Sequence, residues 1–531
     1  MADDQREPEP GSQADWEEIR RVTWDVVVVG GGAAGAVVAA RASENPHLRV
    51  LLIEAGPDYE DPSAVPDDLR NGHRNSLVDH DWALRYQPTA SARPTPFPRG
   101  RVTGGSTAVN TTIALRGIPA DYDHWAALGN PEWSWDRVLP AFNRLERDLD
   151  HGDQPHHGDA GPITVRRWQH DELVPTQAAF IDAARSLGHP PCEDVNAPDA
   201  YGVGVMAMNK LGRVRISTAV GYLAPARIRD NLTIVADTLA VRVTSKNGRA
   251  TGVEVQDKNG RRSTVPARLV VVSTGAVHTP GVLVRSGIGD AEELAALGIE
   301  PVATMPGVGA NLSDHPALLV AMTCTAPELC SPDLPLVQTI SRYTSDGSEV
   351  PLDVNLELIT TVPRRSGQVA FGIAASLEWV EGRGTIRQTS TDPTAAPRIE
   401  QAFGTNERDV ARNVAALGDA LALTTQPALA ALIDEVVFPD PARSSPEELA
   451  GLARSVSGSG YHPVGTAKMG PANDRSAVVD QYGRCHGLDG LVVADASIMP
   501  TVPRANTNLT SIMIGEMVGE WVRTEPARFG L

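Results

Sequence analysis

Gly30, Gly32 and Gly35 stand in G-x-G-x-x-G spacing directly after a run of four valines that starts at Val26, and Glu54 closes a second apolar run, Val50 to Ile53. Glycines in that order let the chain turn tightly and bring backbone N–H groups against a pyrophosphate at a helix N-terminus. An acid at the end of the next strand can accept hydrogen bonds from ribose hydroxyls. The chemistry predicted is dinucleotide binding. A second stretch, RGRVTGGSTAVN from Arg99 to Asn110, adds Arg101, Gly104, Gly105, Ser106 and Asn110 as cofactor-binding candidates: paired glycines permit close approach of backbone to a flat or phosphorylated ligand, and the small polar residues supply hydrogen bonds. Three more stretches are built alike: GAVHTPGVLVRSGIG (Gly275 to Gly289), YHPVGTAKMG (Tyr461 to Gly470) and VADASIMPTVPRANTNL (Val493 to Leu509). Taken alone, His462 reads as a satisfied loop or core histidine and Asn506 as a helix cap before an apolar run.

The elements that must position these residues follow from periodicity. The valine run suits a buried parallel strand, and a helix is predicted over Ala33 to Ala42. Pro57 to Arg99, rich in Pro, Asp and Asn, reads as a long loop. Leu232 to Ala236, Ala240 to Thr244 (with Val241 a further cofactor-binding candidate), Ala250 to Gln256 and Leu269 to Ser273 read as strands. Asn247-Gly248 and Asn259-Gly260 are the turns of a small antiparallel meander feeding back into the parallel sheet. A helix is predicted to start near Thr279-Pro280, with proline in its first turn. From Pro316 to about Arg454, strand-like pieces at 352–360, 368–377 and 384–389 precede a helix over 407–424, which suggests a separate α+β layer. Leu491 to Ala494 is another short strand, and 509–522 is apolar on nearly every side, as a helix buried beneath a cofactor would be. The predicted fold class is α/β: a doubly wound, Rossmann-like domain over 21–160, 205–316 and 455–531, with an inserted α+β substrate domain on an antiparallel sheet over 161–204 and 317–454, after a disordered leader over 1–20.

Composition narrows the function. The 531 residues carry a formal charge of −19 and are 41% hydrophobic, which disfavours nucleic acid and anionic membrane surfaces as partners. No apolar run approaches a membrane span and the first twenty residues lack a secretory pattern, so the cytoplasm is the expected compartment. Four cysteines with no CxxC pair support neither a disulfide framework nor a structural metal, and His156-His157 reads as part of a solvated polar loop.

Together these stretches, in this order, resemble the glucose–methanol–choline (GMC) family of FAD-dependent alcohol oxidases and dehydrogenases from about Asp25 to Glu520, and GVGANLSDH, Gly307 to His315, resembles another of its segments. Thr103 is a minor departure where the family more often carries an aliphatic residue. The resemblance implies FAD as cofactor, His462 as active-site base and Asn506 as its partner, in a place that other members give to a second histidine 44 residues on. It implies oxidation of a CH–OH group to aldehyde or ketone, with hydride passing to flavin N5. An imidazole near neutrality can take the hydroxyl proton, and a carboxamide can hold the same oxygen without adding charge. Asp495, Ala496 and Thr507 are implied flavin contacts, and a helix starting at Asn506 would aim its positive end at the flavin. Some members bond flavin covalently through a histidine at the place of Val109; valine has no such chemistry, so the FAD is expected to be non-covalent.

Within the family, the stretches are most similar to the bacterial branch with hydroxymethylfurfural oxidase-like, choline dehydrogenase-like and mycofactocin-associated enzymes. Choline itself is disfavoured, because a quaternary ammonium usually needs an aromatic cage and the chain is only 5% aromatic. The partners expected are a small-molecule alcohol and O2 or another electron acceptor, in a monomer or homodimer. The alternatives are a flavin-containing, hydroxynitrile-lyase-like enzyme, which uses a similar histidine without net redox change, and a non-catalytic nucleotide-binding module.

Overall fold

A computed structural model describes residues 16–363, 369–440 and 445–531. Its first sheet grows from the valine run. Strand β1 (Trp24–Val29), buried throughout, lies parallel to β2 (Val50–Ile53), which in turn is parallel to β3 (Leu232–Val235). Strands β4 (Thr238–Lys246), β5 (Arg249–Asp257) and β6 (Arg262–Val272) form the antiparallel meander, turned at Asn247 (φ +52°) with Gly248 and at Gly260. Strand β6 serves two partners: residues 262–266 pair antiparallel with β5, and Ala267 onward pairs parallel with β1. The short strand Leu491–Val493 runs parallel along its other edge. This strand order opens a crevice beyond the carboxyl ends of β1 and β6, where ligands bind in doubly wound folds.

Helix α1 (Gly35–Ala42) returns over the sheet, two residues later than its predicted start, because the glycine turn extends through Ala34. Gly35 is needed there: a Cβ would fall 2.0 Å from the Gly30 carbonyl oxygen. Helix α2 (Gly275–Arg285) also departs from expectation. It begins at the end of β6 rather than near Thr279, so Pro280 sits inside it.

The second sheet is antiparallel, ordered β11 (Ile433–Phe438), β7 (Pro316–Cys324), β10 (Val369–Leu377), β9 (Val354–Pro363), β8 (Thr339–Tyr343) and then Gly202–Val205. Period-2 alternation splits its faces. Leu318, Val320, Leu356, Leu358, Phe371 and Ile373 pack with helix α3 (Glu407–Thr424), which has the predicted bounds. On the other face Ile340 and Ile359 join the core of the first sheet. Helix α4 (Thr507–Thr524) closes the fold, buried on most sides as predicted, with Gly515 giving close approach to Ala34 of the glycine turn. No described helix is long and apolar enough to cross a membrane.

Three expectations are corrected. Residues 16–20 of the expected leader belong to a helix, Trp16–Arg21, with Ile19 buried and its carbonyl accepting from Trp24 Nε1; residues 1–15 lie outside the described part. Cys324 and Cys330 form a disulfide, because the turn Pro327–Cys330 folds back against the end of β7; Cys192 and Cys485 are free. Nor is His157 a solvated loop residue. It is fully buried, with Nδ1 2.8 Å from Glu146 and Nε2 2.9 Å from Asp194, amid Asp148, Arg116 and Arg167. Arg116, Arg167 and a protonated His157 together face the three carboxylates, so the cluster is a buried ion network.

Contacts from Asp194 and Glu146 outweigh burial and raise the His157 pKa, so its charged form stabilises the fold below its unfolded pKa, and that contribution fades as pH rises through the folded value. His157→Gln should therefore destabilise the protein by roughly 3 kcal/mol at pH 6 and by less at pH 9, measured by denaturant unfolding. An equal loss at both pH values would contradict a charged His157.

Candidate active site

A cleft runs along the glycine turn at the carboxyl end of β1. Of the sequence-predicted residues, Gly30, Gly32, Glu54, Gly105, Ser106, Asp495, Ala496 and Thr507 line it. A Cβ on Gly105, at φ +51°, would lie 2.7 Å from Gly32 Cα, so two glycine-rich segments meet where no side chain fits. Gly104 holds them together, its N–H donating to the Gly31 carbonyl at 2.7 Å.

Glu54 accepts from the N–H groups of Gly31 and Gly56, each at 2.8 Å, one on each carboxylate oxygen. Each oxygen keeps a second lone pair for a ligand hydroxyl. Burial pushes its carboxyl up to about 7, while the N–H donors pull the other way. Asp495 ties the end of Leu491–Val493 to α2, accepting from Gly275 N–H at 2.8 Å and Thr279 Oγ1 at 2.6 Å, and its other oxygen takes Ser497 N–H.

The remaining candidates lie just outside the cleft. Gly35 packs α1. Arg101 stacks its guanidinium 4.9 Å from the Trp82 ring centre. Asn110 accepts from Thr112 N–H. Val241 is buried, and Thr238, Leu239 and Ala240 form the wall instead. Val109 is buried with Leu69, Val102 and Ala108. Trp82, Arg99, His278 and Arg285 also line the cleft; the last three lie inside stretches singled out from sequence, whereas Trp82 carried no signal beyond residue type. Arg99 Nε and Nη2 and His278 Nε2 have no protein partner, leaving polar groups to serve a bound molecule. Glycine cradle, acid and spare polar groups together suit a flavin dinucleotide.

At the cleft's end, next to Pro463 in its wall, stand His462 and Asn506. Asn506 Nδ2 lies 3.0 Å from His462 Nε2, and the asparagine makes no side-chain cap to α4 although it occupies the N-cap position. The amide therefore faces the imidazole rather than its own helix. The loop carrying it is fixed by Arg504: its N–H and Nη1 each donate to Asp121 at 2.9 Å, and its carbonyl accepts from Arg342 Nη2 at 2.9 Å.

His462 is gripped from behind. Its N–H donates to Asp314 Oδ1 at 2.8 Å, and its Nδ1 lies 2.9 Å from Nδ1 of the fully buried His315, which has Glu378 Oε2 at 3.5 Å. Tyr461, the preceding residue, is held at φ +65°, a strained conformation for an aromatic side chain, by Ser459 Oγ on its N–H and Arg99 Nη1 on its carbonyl. Burial, then the neighbouring His315 and Arg99, push the His462 pKa well below the usual histidine value, and burial brings His315 to about 4. With Asn506 donating to Nε2, the neutral His462 carries its proton on Nδ1, toward His315, and its lone pair on Nε2. Asp314 and His315 lie inside the GVGANLSDH stretch, where an adjacent acid and histidine were the available signal; Glu378 had none.

Family models described as GMC oxidoreductase match residues 24–317 and 380–515. The chain is 35% identical to 5-(hydroxymethyl)furfural oxidase of Methylovorus sp. (strain MP688), over 94% of this chain and 99% of that protein. It is 33% identical to choline oxidase of Arthrobacter globiformis over 96% of each. The crystal structure of pyridoxine 4-oxidase from Mesorbium loti superposes with a TM-score of 0.86 at 30% identity, covering 94% of this chain and 98% of that one. With matches across both halves, a dinucleotide cleft and relatives aligned end to end, the chain belongs to the GMC oxidoreductase family of FAD-dependent enzymes.

Proposed function

We propose that the protein oxidises a small alcohol to an aldehyde or ketone, with His462 as base and Asn506 holding the hydroxyl oxygen. The observation that carries this is the 3.0 Å approach of the Asn506 amide to a His462 Nε2 left unprotonated at the cleft's end. An alcohol inserted between them would give its hydroxyl proton to Nε2 and accept the amide N–H, so both groups are satisfied on the same oxygen. His315 keeps the Nδ1 proton in place, and Asp314 fixes the backbone. FAD, when bound, supplies the hydride acceptor; the Gly30–Gly35 turn, Glu54, Gly105, Ser106, Asp495, Ala496 and Thr507 would hold it, with Arg101, Gly104, Asn110 and Val241 in support. In this reading 21–160, 205–316 and 455–531 carry the cofactor, and 161–204 with 317–454 cover the substrate.

Anaerobic mixing with a panel of alcohols should bleach the flavin band. His462→Ala should retain FAD yet slow the bleaching by roughly 10²–10⁴-fold, and Asn506→Ala should slow it less. Turnover with an unchanged flavin spectrum would instead mark a lyase.

Because the base works as neutral imidazole and its pKa is lowered, flavin reduction should be flat from pH 7 to 9 and fall only below pH 6.5. A rate that drops as pH falls from 8 to 7 would contradict the assignment.

With Val109 packed in an apolar cluster, heat or acid should release all the flavin into the supernatant as FAD. Yellow, precipitated protein would show a covalent link elsewhere.

A further inference from the structure

The face of the second sheet turned toward the first carries Leu319 on β7, Ala374 on β10 and Glu357 and Ile359 on β9. These four are half-buried although they occupy central strands, while the opposite face is sealed by α3. Accessible side chains in mid-sheet mean that space remains between the two layers at this point.

Glu357 is the polar one of these four. Its cross-strand neighbours are Ile340 on β8 and Ala374 on β10, neither able to hydrogen-bond through its side chain. No described residue gives its carboxylate a hydrogen bond or ion pair; the charge it feels is Glu378. Ser376 and Asn355 pull the Glu378 carboxyl downward against its burial, but its Oε2, in a residue 3% exposed, accepts no hydrogen bond. That same Oε2 lies 3.5 Å from His315, which touches His462. Glu357 and Glu378 thus stand on the same side of the sheet, and Glu378 reaches His462 through His315.

Resting on the alcohol-oxidation reading above, we propose that Glu357 is a specificity-determining residue: its carboxyl group accepts from a second hydrogen-bond donor, an O–H or N–H, carried by the alcohol away from the carbinol held by His462 and Asn506. An acceptor walled by apolar side chains gains from a donor, so an alcohol that supplies one binds better than its methyl-ended counterpart. Burial and the adjacent Glu378 push the Glu357 carboxyl up to about 8, the state of a group that lacks a donor or cation.

The test compares α,ω-diols and ω-amino alcohols of three to six carbons with n-alkanols of the same lengths, by anaerobic flavin bleaching of the holoenzyme. The donor-ended series should be favoured about tenfold or more in rate constant over Kd at the best length. Glu357→Leu should bring that ratio to about one, and Glu357→Gln should keep part of it, with flavin content and melting temperature checking the fold. Equal ratios in wild type and Glu357→Leu would overturn the proposal. Should no alcohol bleach the flavin, the oxidation reading fails by itself, and n-alkylammonium ions of the same lengths, followed by perturbation of the flavin spectrum, decide the role of Glu357. Binding about tenfold weaker in Glu357→Leu supports the carboxylate site; equal binding, or none to either protein, overturns it.

Discussion

The hydrogen bond between Nδ1 of His462 and Nδ1 of His315 determines which imidazole nitrogen of His462 faces the cleft, and the rest of the site is arranged to keep it. Two chain segments about 150 residues apart must run side by side for it to form. They do so as an irregular antiparallel pair: Val464 N–H donates to the Ser313 carbonyl at 2.9 Å, and Gly460 N–H to the His315 carbonyl at 2.8 Å. Gly460 is dictated by the same closeness, since a Cβ there would stand 3.1 Å from His462 Nδ1 and 3.3 Å from the His315 carbonyl oxygen. The left-handed Tyr461 then reverses the chain between them, a strain the surrounding bonds to Ser459, Asp314 and Arg99 can hold.

Burial makes this geometry chemically useful. An exposed histidine would be partly protonated near neutrality and would have no lone pair to offer in that fraction of molecules. Sinking the pair His462–His315 against Asp314, itself pushed upward by burial, keeps both imidazoles neutral. The cost of so many buried polar groups is limited by their mutual hydrogen bonds: Asp314 alone takes His462 N–H, Ser459 Oγ and Gln401 Nε2. Asp121 does the same for the loop before Asn506, through Arg504.

Much of this was legible from sequence where the signal is local. Valine runs, glycine spacing and Asn-Gly turns depend on neighbours in the chain, and β1, the meander, α3 and α4 follow them closely. The cleft-lining glycines and Glu54 came from the same kind of signal, and Asp495 from the resemblance to the family. What escaped depends on partners far apart in sequence. His157 looks solvated in HGDQPHHGDAG because nothing local announces Arg116 and Asp194. The Cys324–Cys330 bond needs a reversal after β7 that no glycine marks. Asn506 reads equally well as a cap until the imidazole 44 residues away is placed beside it. Glu357 is a single acid in an apolar strand and Glu378 directly follows another, and only the pairing of β9 with β10 reveals that they lie on the same side.

Pro280 shows how a misread start hid a working part. Proline in a first turn would cost the helix nothing, but inside α2 it lacks the N–H that would bind the carbonyl four residues earlier, that of Ala276. Ala276 lines the cofactor cleft, and its freed carbonyl accepts Thr466 Oγ1 at 2.6 Å. Thr466 lies four residues beyond His462, on the segment that carries the base. The gap in the helix ladder is therefore filled by the loop that carries His462, which ties the wall of the cleft directly to the imidazole. A helix begun at Thr279 would have offered no such carbonyl, and the loop would have lost this anchor on the cofactor side.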